Sequence, residues 1–251
     1  MSLIELLWPA FVLAILLVFI HTVFGLEIIR RGVIFTDLAI GQFAAVGLAV
    51  SVALFDGRYQ TLWTLSFALL AAVTIALSAR RVAHIEAFIG LLYALGIASM
   101  MLILAQSSEG MELFNKLSAA DILFTMPEDL MKSFLIYGAI ASIMFVLYPR
   151  TSGIVKELIF FSALALTVTS SVQSAGVLVV FSLLVAPSYA ATIQKSFNPL
   201  YFAWIFGSTA VIAALILSYH FDLPTGYSII FCVVVTTLVY ILMKSKPGKI
   251  L

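Results

Sequence analysis

RRGVIFTDLAIGQFAAVGLAV, residues 30–50, is the stretch that decides the fold class. After its two arginines the chain runs about 24 residues to Phe55 with Asp37 as the single charge, and a helix of that length crosses a hydrocarbon core of about 30 Å. A carboxylate inside such a span costs roughly 2.5–3.5 kcal/mol on insertion scales, so we expect Asp37 to face protein or a water-filled cavity. The stretch therefore predicts a transmembrane helix with a functional carboxylate.

The composition indicates an integral membrane protein. Of the 251 residues, 63% are hydrophobic and 10% are charged, and the mean hydropathy is +1.19. A soluble domain carries about 25% charged residues. The net charge of +1 argues against a nucleic-acid partner. The single cysteine, Cys232, excludes an internal disulfide and a cysteine-based metal site.

We predict an all-α polytopic membrane protein with about nine transmembrane helices, because the apolar runs are long and do not alternate with polar residues. These helices form a single transmembrane permease domain over residues 1–251. The predicted spans are Leu6–Leu26, Gly32–Phe55, Tyr59–Ala79, Ala87–Ser108, a shorter Ser133–Pro149, two within Leu158–Gln194, Ser196–Phe221 and Leu223–Met243.

The run Leu158–Gln194 is too long for one span, because one membrane helix needs about 20 residues. Polar residues interrupt it, so we predict a broken helix near residues 169–176, with a short helix before it and a full helix, Val177–Gln194, after it. Broken helices often line transport paths, although an ordinary tight turn between two helices explains the pattern equally well. If the short helix is re-entrant, the count becomes eight spans plus one re-entrant helix.

The basic residues predict the orientation. With nine crossings, one side receives Arg30, Arg31, Arg80, Arg81, Arg150, Lys156, Lys195, Lys244, Lys246 and Lys249. The other side receives Arg58, Lys116 and Lys132. The positive-inside rule then places the N-terminus outside and the C-terminus in the cytoplasm.

Polar residues inside the spans are the candidate site. Asp37 and Gln42 could line a cation path; the alternative is an interhelical hydrogen bond or an ion pair with an arginine near the helix start. Small residues at 41, 44, 45 and 47 predict a close-packing face on the same helix. The hydroxyls and carbonyls of residues 170–174 could also coordinate a cation.

The three histidines form no local metal motif. His84 and Glu86 could bind a divalent metal, but residues two apart on a helix face different directions, so we favour a helix-start role for them. His21 and His220 are predicted to be interfacial, near the ends of their spans. The sequence holds no phosphate loop, nucleophile elbow or zinc-protease motif, which argues against an intramembrane hydrolase.

Four segments, in the same order, resemble the membrane permeases of zinc/manganese/iron-type ATP-binding-cassette importers. They are RGVIFTDLAIGQFAAVG (31–47), EAFIGLLYA (86–94), SAADIL (118–123) and AGVLVVFSLLVAP (175–187). The resemblance implies a non-catalytic permease that works as a pair, in the plasma (inner) membrane. It implies a cytoplasmic ATP-binding subunit that hydrolyses ATP, a second permease copy and an extracytoplasmic metal-binding protein as partners, with no cofactor bound by this chain.

The resemblance also implies site residues. Many members carry an acid and a histidine about one turn apart on the second helix, in the metal path; Asp37 matches the acid, and Gln42 falls near the histidine position. Asp37 is therefore the predicted metal ligand, with Gln42, Glu86, Asp121 and Ser171 as further residues of the substrate path. Glutamine is a poor substitute for imidazole with zinc or manganese.

A second departure lies in the predicted ATPase docking loop, which comprises Arg150, Thr151, Ser152, Gly153 and Lys156. Family members usually have a longer cytoplasmic loop here, with an acid-rich segment that docks the ATPase, whereas this chain has only YPRTSGIVKE over residues 148–157. Two alternatives to an importer subunit follow. One is a secondary transporter driven by an ion gradient, with Asp37 or Glu86 as its proton-linked carboxylate, and the other is a non-transporting membrane scaffold.

Overall fold

The computed structural model describes residues 3–55, 57–106, 112 and 122–244. That part of the chain contains nine α-helices and no β-strand, which confirms the predicted all-α polytopic fold. The helices are α1 (Leu3–Arg31), α2 (Thr36–Phe55), α3 (Gln60–Ser78), α4 (Ile85–Leu104), α5 (Pro127–Ser142), α6 (Gly153–Ala175), α7 (Val177–Ile193), α8 (Pro199–Phe221) and α9 (Thr225–Lys244). A 3-10 turn, Ile122–Phe124, precedes α5, which continues as a π turn, Ile143–Leu147, and a 3-10 turn, Tyr148–Arg150.

Eight of the described helices are long and apolar enough to cross a membrane. The ninth, α7, has 17 residues, which at 1.5 Å per residue is about 25 Å. The fifth span is not the shorter one that the sequence predicted, because it runs over 24 residues from Pro127 to Arg150. Pro127 starts the helix, and Glu128 and Asp129 lie in its first turn, where acids are favoured by the helix dipole.

The described helices belong to two compact units. One unit contains α1, α8, α9 and α7 from its second residue onward. The other contains α2, α3, α4, α6 and α5 from Met131 onward. The predicted carboxylate and most of the other candidate residues lie in this second unit, which we call the α2 unit.

Small residues of α2 allow close packing on two sides. In the α2 unit, α2 packs against α3, α4 and α6. A Cβ at Gly47 would lie 2.3 Å from the carbonyl oxygen of Trp63 on α3, whereas Gly41 lies against Val168 on α6. The predicted close packing is present at Gly47, but Gly41 is not on the same face, because six residues turn a helix by about 600° and leave the two positions about 120° apart.

In the other unit, α1 packs against α8 and α8 against α9. A Cβ at Gly207 on α8 would lie 2.8 Å from Cγ1 of Val18 on α1. His21, which was expected at an interface, is fully buried within α1. Its Nδ1 lies 2.8 Å from the carbonyl oxygen of Leu17, one turn earlier. The prediction failed because a histidine that finds a partner on its own helix can be accommodated within a packed bundle.

The predicted break lies at one residue. Helix α6 continues to Ala175, and Gly176 then has φ 84° and ψ 155°, a conformation that is essentially restricted to glycine. Residues 169–174 are helical, so the polar segment is not itself the break. The predicted lengths were also reversed: the helix before the break has 23 residues and the one after it has 17.

Candidate functional site

Asp37 lies in the first turn of α2 and is buried, with 2% of its surface exposed. Its Oδ1 atom is enclosed and has no hydrogen-bond partner among the residues that the structure describes. The preceding residue, Thr36, is fully buried and donates a hydrogen bond from Oγ1 to the carbonyl oxygen of Val33, at 2.7 Å. A buried carboxylate oxygen without a partner is costly, so it is a candidate for a ligand that supplies positive charge.

The arginines before α2 have another acidic partner. Arg30 and Arg31 both pair with Glu27 within α1, Arg31 at 2.9 Å. The positive charges of Arg30 and Arg31 are therefore partly neutralised by an acid on their own helix. The acid lies one turn before both arginines, which is a favourable spacing on a helix surface.

Glu86 lies beside the start of α2, although it belongs to the first turn of α4. Its Oε1 accepts a hydrogen bond from the backbone N–H of Phe35, at 3.2 Å. Its Oε2 is enclosed and has no partner within the described part of the chain. The structure thus brings Glu86 close to the first turn of α2, where Asp37 lies two residues after Phe35, and each of the two carboxyl groups keeps one unpartnered oxygen.

Gln42 does not share the face of Asp37. Five residues at 3.6 per turn separate their directions around α2 by about 140°. Gln42 instead packs towards α4, where a Cβ at Gly96 would lie 2.8 Å from the Gln42 Cβ. Its Oε1 is enclosed without a partner in the described residues. The structure therefore does not bring the two predicted path residues of α2 to one point.

Ser171 is buried within α6 and donates a hydrogen bond to the carbonyl oxygen of Thr167, at 2.6 Å. This bond to the preceding turn is the ordinary way in which a hydroxyl is satisfied inside an apolar helix. Thr169 on the same helix is 6% exposed, and its Oγ1 has no partner in the described chain. Sequence reasoning missed Thr169 as a candidate, although it opens the polar segment that we had singled out.

The remaining predicted path residue, Asp121, lies outside the described residues. Within the described ranges there is no group of three or more histidine, cysteine, aspartate or glutamate side chains that could hold a metal ion.

The predicted docking loop is a short connection. The 3-10 turn ends at Arg150, Thr151 and Ser152 are extended, and α6 begins at Gly153. Gly153 has φ 62°, and a Cβ there would lie 3.3 Å from Nη1 of Arg80, so the end of α3 is close to the start of α6.

Lys156 anchors the first turn of α6 on this connection. Its Nζ lies 4.7 Å from the ring centre of Tyr148, within the range of a cation–π interaction. Thr151 donates a hydrogen bond from Oγ1 to the Tyr148 carbonyl oxygen at 2.9 Å. No additional helix lies between Arg150 and Gly153, which are both within a continuously described range.

Comparison with known proteins places the chain in a family. A sequence profile of the ABC 3 transport family matches residues 3–244. A probable iron transport system membrane protein of Haemophilus influenzae is 34% identical over 124 residues, which cover 47% of this chain and 44% of that protein. The manganese transport system membrane protein MntB of Synechocystis is 27% identical over 180 residues, which cover 64% of this chain and 58% of that protein.

The fold has a counterpart among solved structures. PsaBC from Streptococcus pneumoniae, solved in complex with a Fab, superimposes with a TM-score of 0.73 at 20% identity, over 94% of this chain and 91% of that one. The matched regions span about half the length of the curated relatives. The family match, in contrast, extends over almost the whole chain. This protein is a member of the ABC 3 transport family.

Proposed function

We propose that this chain is the membrane-spanning permease subunit of an ATP-driven importer that moves a divalent metal ion, zinc, manganese or iron, into the cytoplasm. The observation that carries the proposal is the buried Asp37 carboxylate in the first turn of α2, whose Oδ1 has no partner in the described residues. Membership of the ABC 3 transport family supplies the transport context. Two relatives are named for iron and for manganese transport.

The ligand chemistry favours manganese over zinc. Carboxylate and neutral oxygen ligands suit manganese, whereas zinc is usually held by imidazole or thiolate as well. The position one turn after Asp37 is Gly41, which offers no side chain, and Gln42 supplies an amide that points towards α4. A path with Asp37 as its ligand and Glu86 nearby would bind the ion weakly enough to release it.

The partners in this proposal are a cytoplasmic ATP-binding subunit, a second permease copy and an extracytoplasmic metal-binding protein. ATP would be hydrolysed by the partner, since this chain has no phosphate-binding loop in its sequence. The exposed Arg150 and the residues after it, to Lys156, are the proposed contact for that subunit. The bias of basic residues supports a plasma-membrane orientation with the N-terminus outside and the C-terminus in the cytoplasm.

The test is manganese or iron uptake by cells in which this chain is the required permease, with Asp37→Asn compared with wild type. We expect uptake to fall at least tenfold while the amount of protein in the membrane and its thermal stability stay unchanged. Asp222→Asn is the matched control, because Asp222 is exposed at the end of α8 and asparagine tolerates its φ of 52°. Normal uptake by Asp37→Asn would overturn the assignment of this residue.

The short connection between α5 and α6 supports a second candidate, in which the chain works without an ATPase. Only Thr151 and Ser152 lie between the 3-10 turn and α6, so a docking helix is absent at this point. Purification in mild detergent from the native cell separates the two candidates. A stoichiometric ATP-binding partner supports the importer subunit, whereas isolation of this chain alone at good yield supports a gradient-driven transporter or a scaffold.

A further inference from the structure

An aromatic groove runs along the first half of α8. It has a volume of about 340 Å³ and is lined by Phe197, Tyr201, Phe202, Ile205, Phe206 and Thr209. Five of these six side chains are aromatic or aliphatic, and Thr209 donates its hydroxyl to the Phe206 carbonyl oxygen at 2.8 Å. The groove therefore offers a mainly apolar surface, on which the Thr209 hydroxyl is already satisfied.

The base of this groove is built by ring packing between two helices. The rings of Phe202 and Phe206 stack with centroids 5.6 Å apart and planes at 16°. Tyr240 on α9 packs against both, with centroids 5.6 Å from each. Such interlocked aromatic side chains lose little further freedom when a ligand binds, so the groove is preorganised.

Two lysines belong to the chain segments that meet at the start of α8. Helices α8 and α9 form a hairpin through residues 222–224, so the end of α9 lies beside the start of α8. Lys244 is exposed and one turn beyond Tyr240, on the same side of α9. Lys195 is exposed just before α8.

The turn that carries Lys195 is fixed by its neighbour Gln194. The Gln194 side chain accepts hydrogen bonds from the backbone N–H groups of Ser196 and Phe197, at 2.9 and 2.8 Å, and donates to the Phe197 carbonyl oxygen at 2.7 Å. Asn198 then caps α8 by accepting a hydrogen bond from the Leu200 N–H at 2.9 Å. Phe197 lines the groove, and Lys195 precedes it by two residues in this turn.

The two chain segments that carry these lysines have charge of one sign. The sequence has no aspartate or glutamate in residues 194–210 or 236–251, whereas Lys195, Lys244, Lys246 and Lys249 all lie in those segments. A partner for this surface therefore needs an anionic group next to an apolar chain. Clusters of lysines at the membrane surface attract acidic lipids, and lysine side chains reach the headgroup layer readily.

We propose that this groove binds an acidic phospholipid, with one acyl chain along Tyr201 to Thr209 and its phosphate at Lys195 and Lys244. None of the groove residues is a candidate residue of the metal path, and the lipid site does not rest on the proposed function. A lipid fits better than a soluble ligand, because α8, which carries most of the lining residues, is long and apolar enough to cross a membrane. The paired lysines explain why an acidic lipid would be preferred to a zwitterionic one.

Native mass spectrometry of the delipidated full chain in detergent tests the site, with phosphatidylglycerol and phosphatidylcholine of identical acyl chains as probes. We expect phosphatidylglycerol to bind at least tenfold more tightly. Lys195→Gln and Lys244→Gln should each lower the affinity for phosphatidylglycerol about fivefold, because one lysine near an anionic lipid surface contributes about a fivefold gain in affinity. Arg58→Gln, at the turn before α3, is the control and should change nothing.

A groove-filling variant, Ile205→Trp, tests the acyl chain separately and should weaken both lipids. Equal binding of the two lipids to wild type would overturn the proposal, and so would full competition by glycerol phosphate, which would show a phosphate site only. The double variant Cys232→Ser with Ile205→Cys has its only cysteine in the groove. If this variant forms a disulfide efficiently between two chains, the groove binds a second copy of the chain, and the lipid proposal is overturned.

Discussion

Glu86 on α4 accepts a hydrogen bond from the backbone N–H of Phe35, the residue before α2, at 3.2 Å. The Phe35 carbonyl oxygen accepts the first bond of α2, from the Ala39 N–H at 3.0 Å. In a capping box, a glutamate in the first turn of a helix accepts a hydrogen bond from the backbone N–H of the N-cap residue, which directly precedes that same helix. Here the accepting glutamate, Glu86, belongs to another helix. Helix α4 therefore holds the first turn of α2, which carries Asp37, in place.

The two roles of Glu86 can be separated by two substitutions. Glu86→Gln keeps an oxygen that can accept from Phe35 but removes the charge, whereas Glu86→Leu removes both. We expect Glu86→Leu to lower the free energy of unfolding by about 1 kcal/mol, the usual value of a helix cap, and Glu86→Gln to leave it unchanged. Unfolding in detergent, followed by circular dichroism, measures this difference.

Uptake then shows whether the Glu86 charge belongs to the metal path. Reduced uptake by Glu86→Gln at unchanged stability would support a direct role for its second oxygen, which has no partner in the described residues. If Glu86→Gln transports normally and only Glu86→Leu is impaired, Glu86 is a positioning residue for the start of α2.

Gly41→His should strengthen binding of a divalent metal. Residues four apart on a helix lie about 40° from each other, so an imidazole at position 41 would share the face of Asp37. A Cβ at Gly41 meets Val168 Cγ1 at 3.7 Å and Val177 Cγ1 at 4.0 Å, which is ordinary contact. We expect at least a tenfold lower Kd for zinc by isothermal titration, because imidazole is a preferred zinc ligand.

The double variant Gly41→His with Asp37→Asn is the control for this gain. If the gain depends on both side chains, the double variant loses it. A gain that survives Asp37→Asn would show that the new histidine binds zinc elsewhere, and would argue against a path along this face of α2.

Gly47→Ala should destabilise the α2 unit. The added methyl group would lie 2.3 Å from the Trp63 carbonyl oxygen, so α2 and α3 would have to separate. The expected cost is about 1–3 kcal/mol, as for other overpacked sites. Gly90→Ala on α4, where nothing lies within 4 Å of the added atom, is the matched control and should retain wild-type melting.

Gly176→Ala tests the break between α6 and α7. The φ of 84° and ψ of 155° at this residue suit glycine, and alanine there should cost about 1–3 kcal/mol. Gly138→Ala, within α5 and with nothing within 4 Å of its Cβ position, is the control. An unchanged melting temperature in Gly176→Ala would indicate that the two helices can join without this conformation.

The class of fold and the family follow from local features that a sequence displays directly. Runs of about 20 apolar residues require helices in a bilayer, because every backbone group must find its partner within the segment. The family resemblance over residues 31–47, 86–94, 118–123 and 175–187 is confirmed by the profile match over residues 3–244. Helix ends were predicted less well, as the fifth span shows: the predicted span began at Ser133, whereas the acidic residues before it form the first turn of α5.

Within the candidate site, the sequence identified Asp37 by its charge alone, since a carboxylate in an apolar span is unusual wherever it points. It paired Asp37 with Gln42 by proximity along the chain, and the structure directs these side chains to different neighbours. Glu86 contacts the start of α2 across a separation of 51 residues, which periodicity cannot show. Thr169 was missed because a sequence does not show which hydroxyl bonds a carbonyl oxygen of its own helix, as Ser171 does, and which one has no partner in the described residues.

The sequence by itself determined that this protein is a helical membrane protein of a recognisable transport family with one conspicuous carboxylate in its second span. Hydropathy and spacing carry that information because each membrane-spanning helix is determined by the length and composition of its own segment. Only the tertiary structure decided that Glu86 caps α2, that Gln42 turns to α4, that the helix breaks at Gly176 and that an aromatic groove forms along α8. Those outcomes depend on how helices pack against one another, where contacts join residues that are distant along the chain.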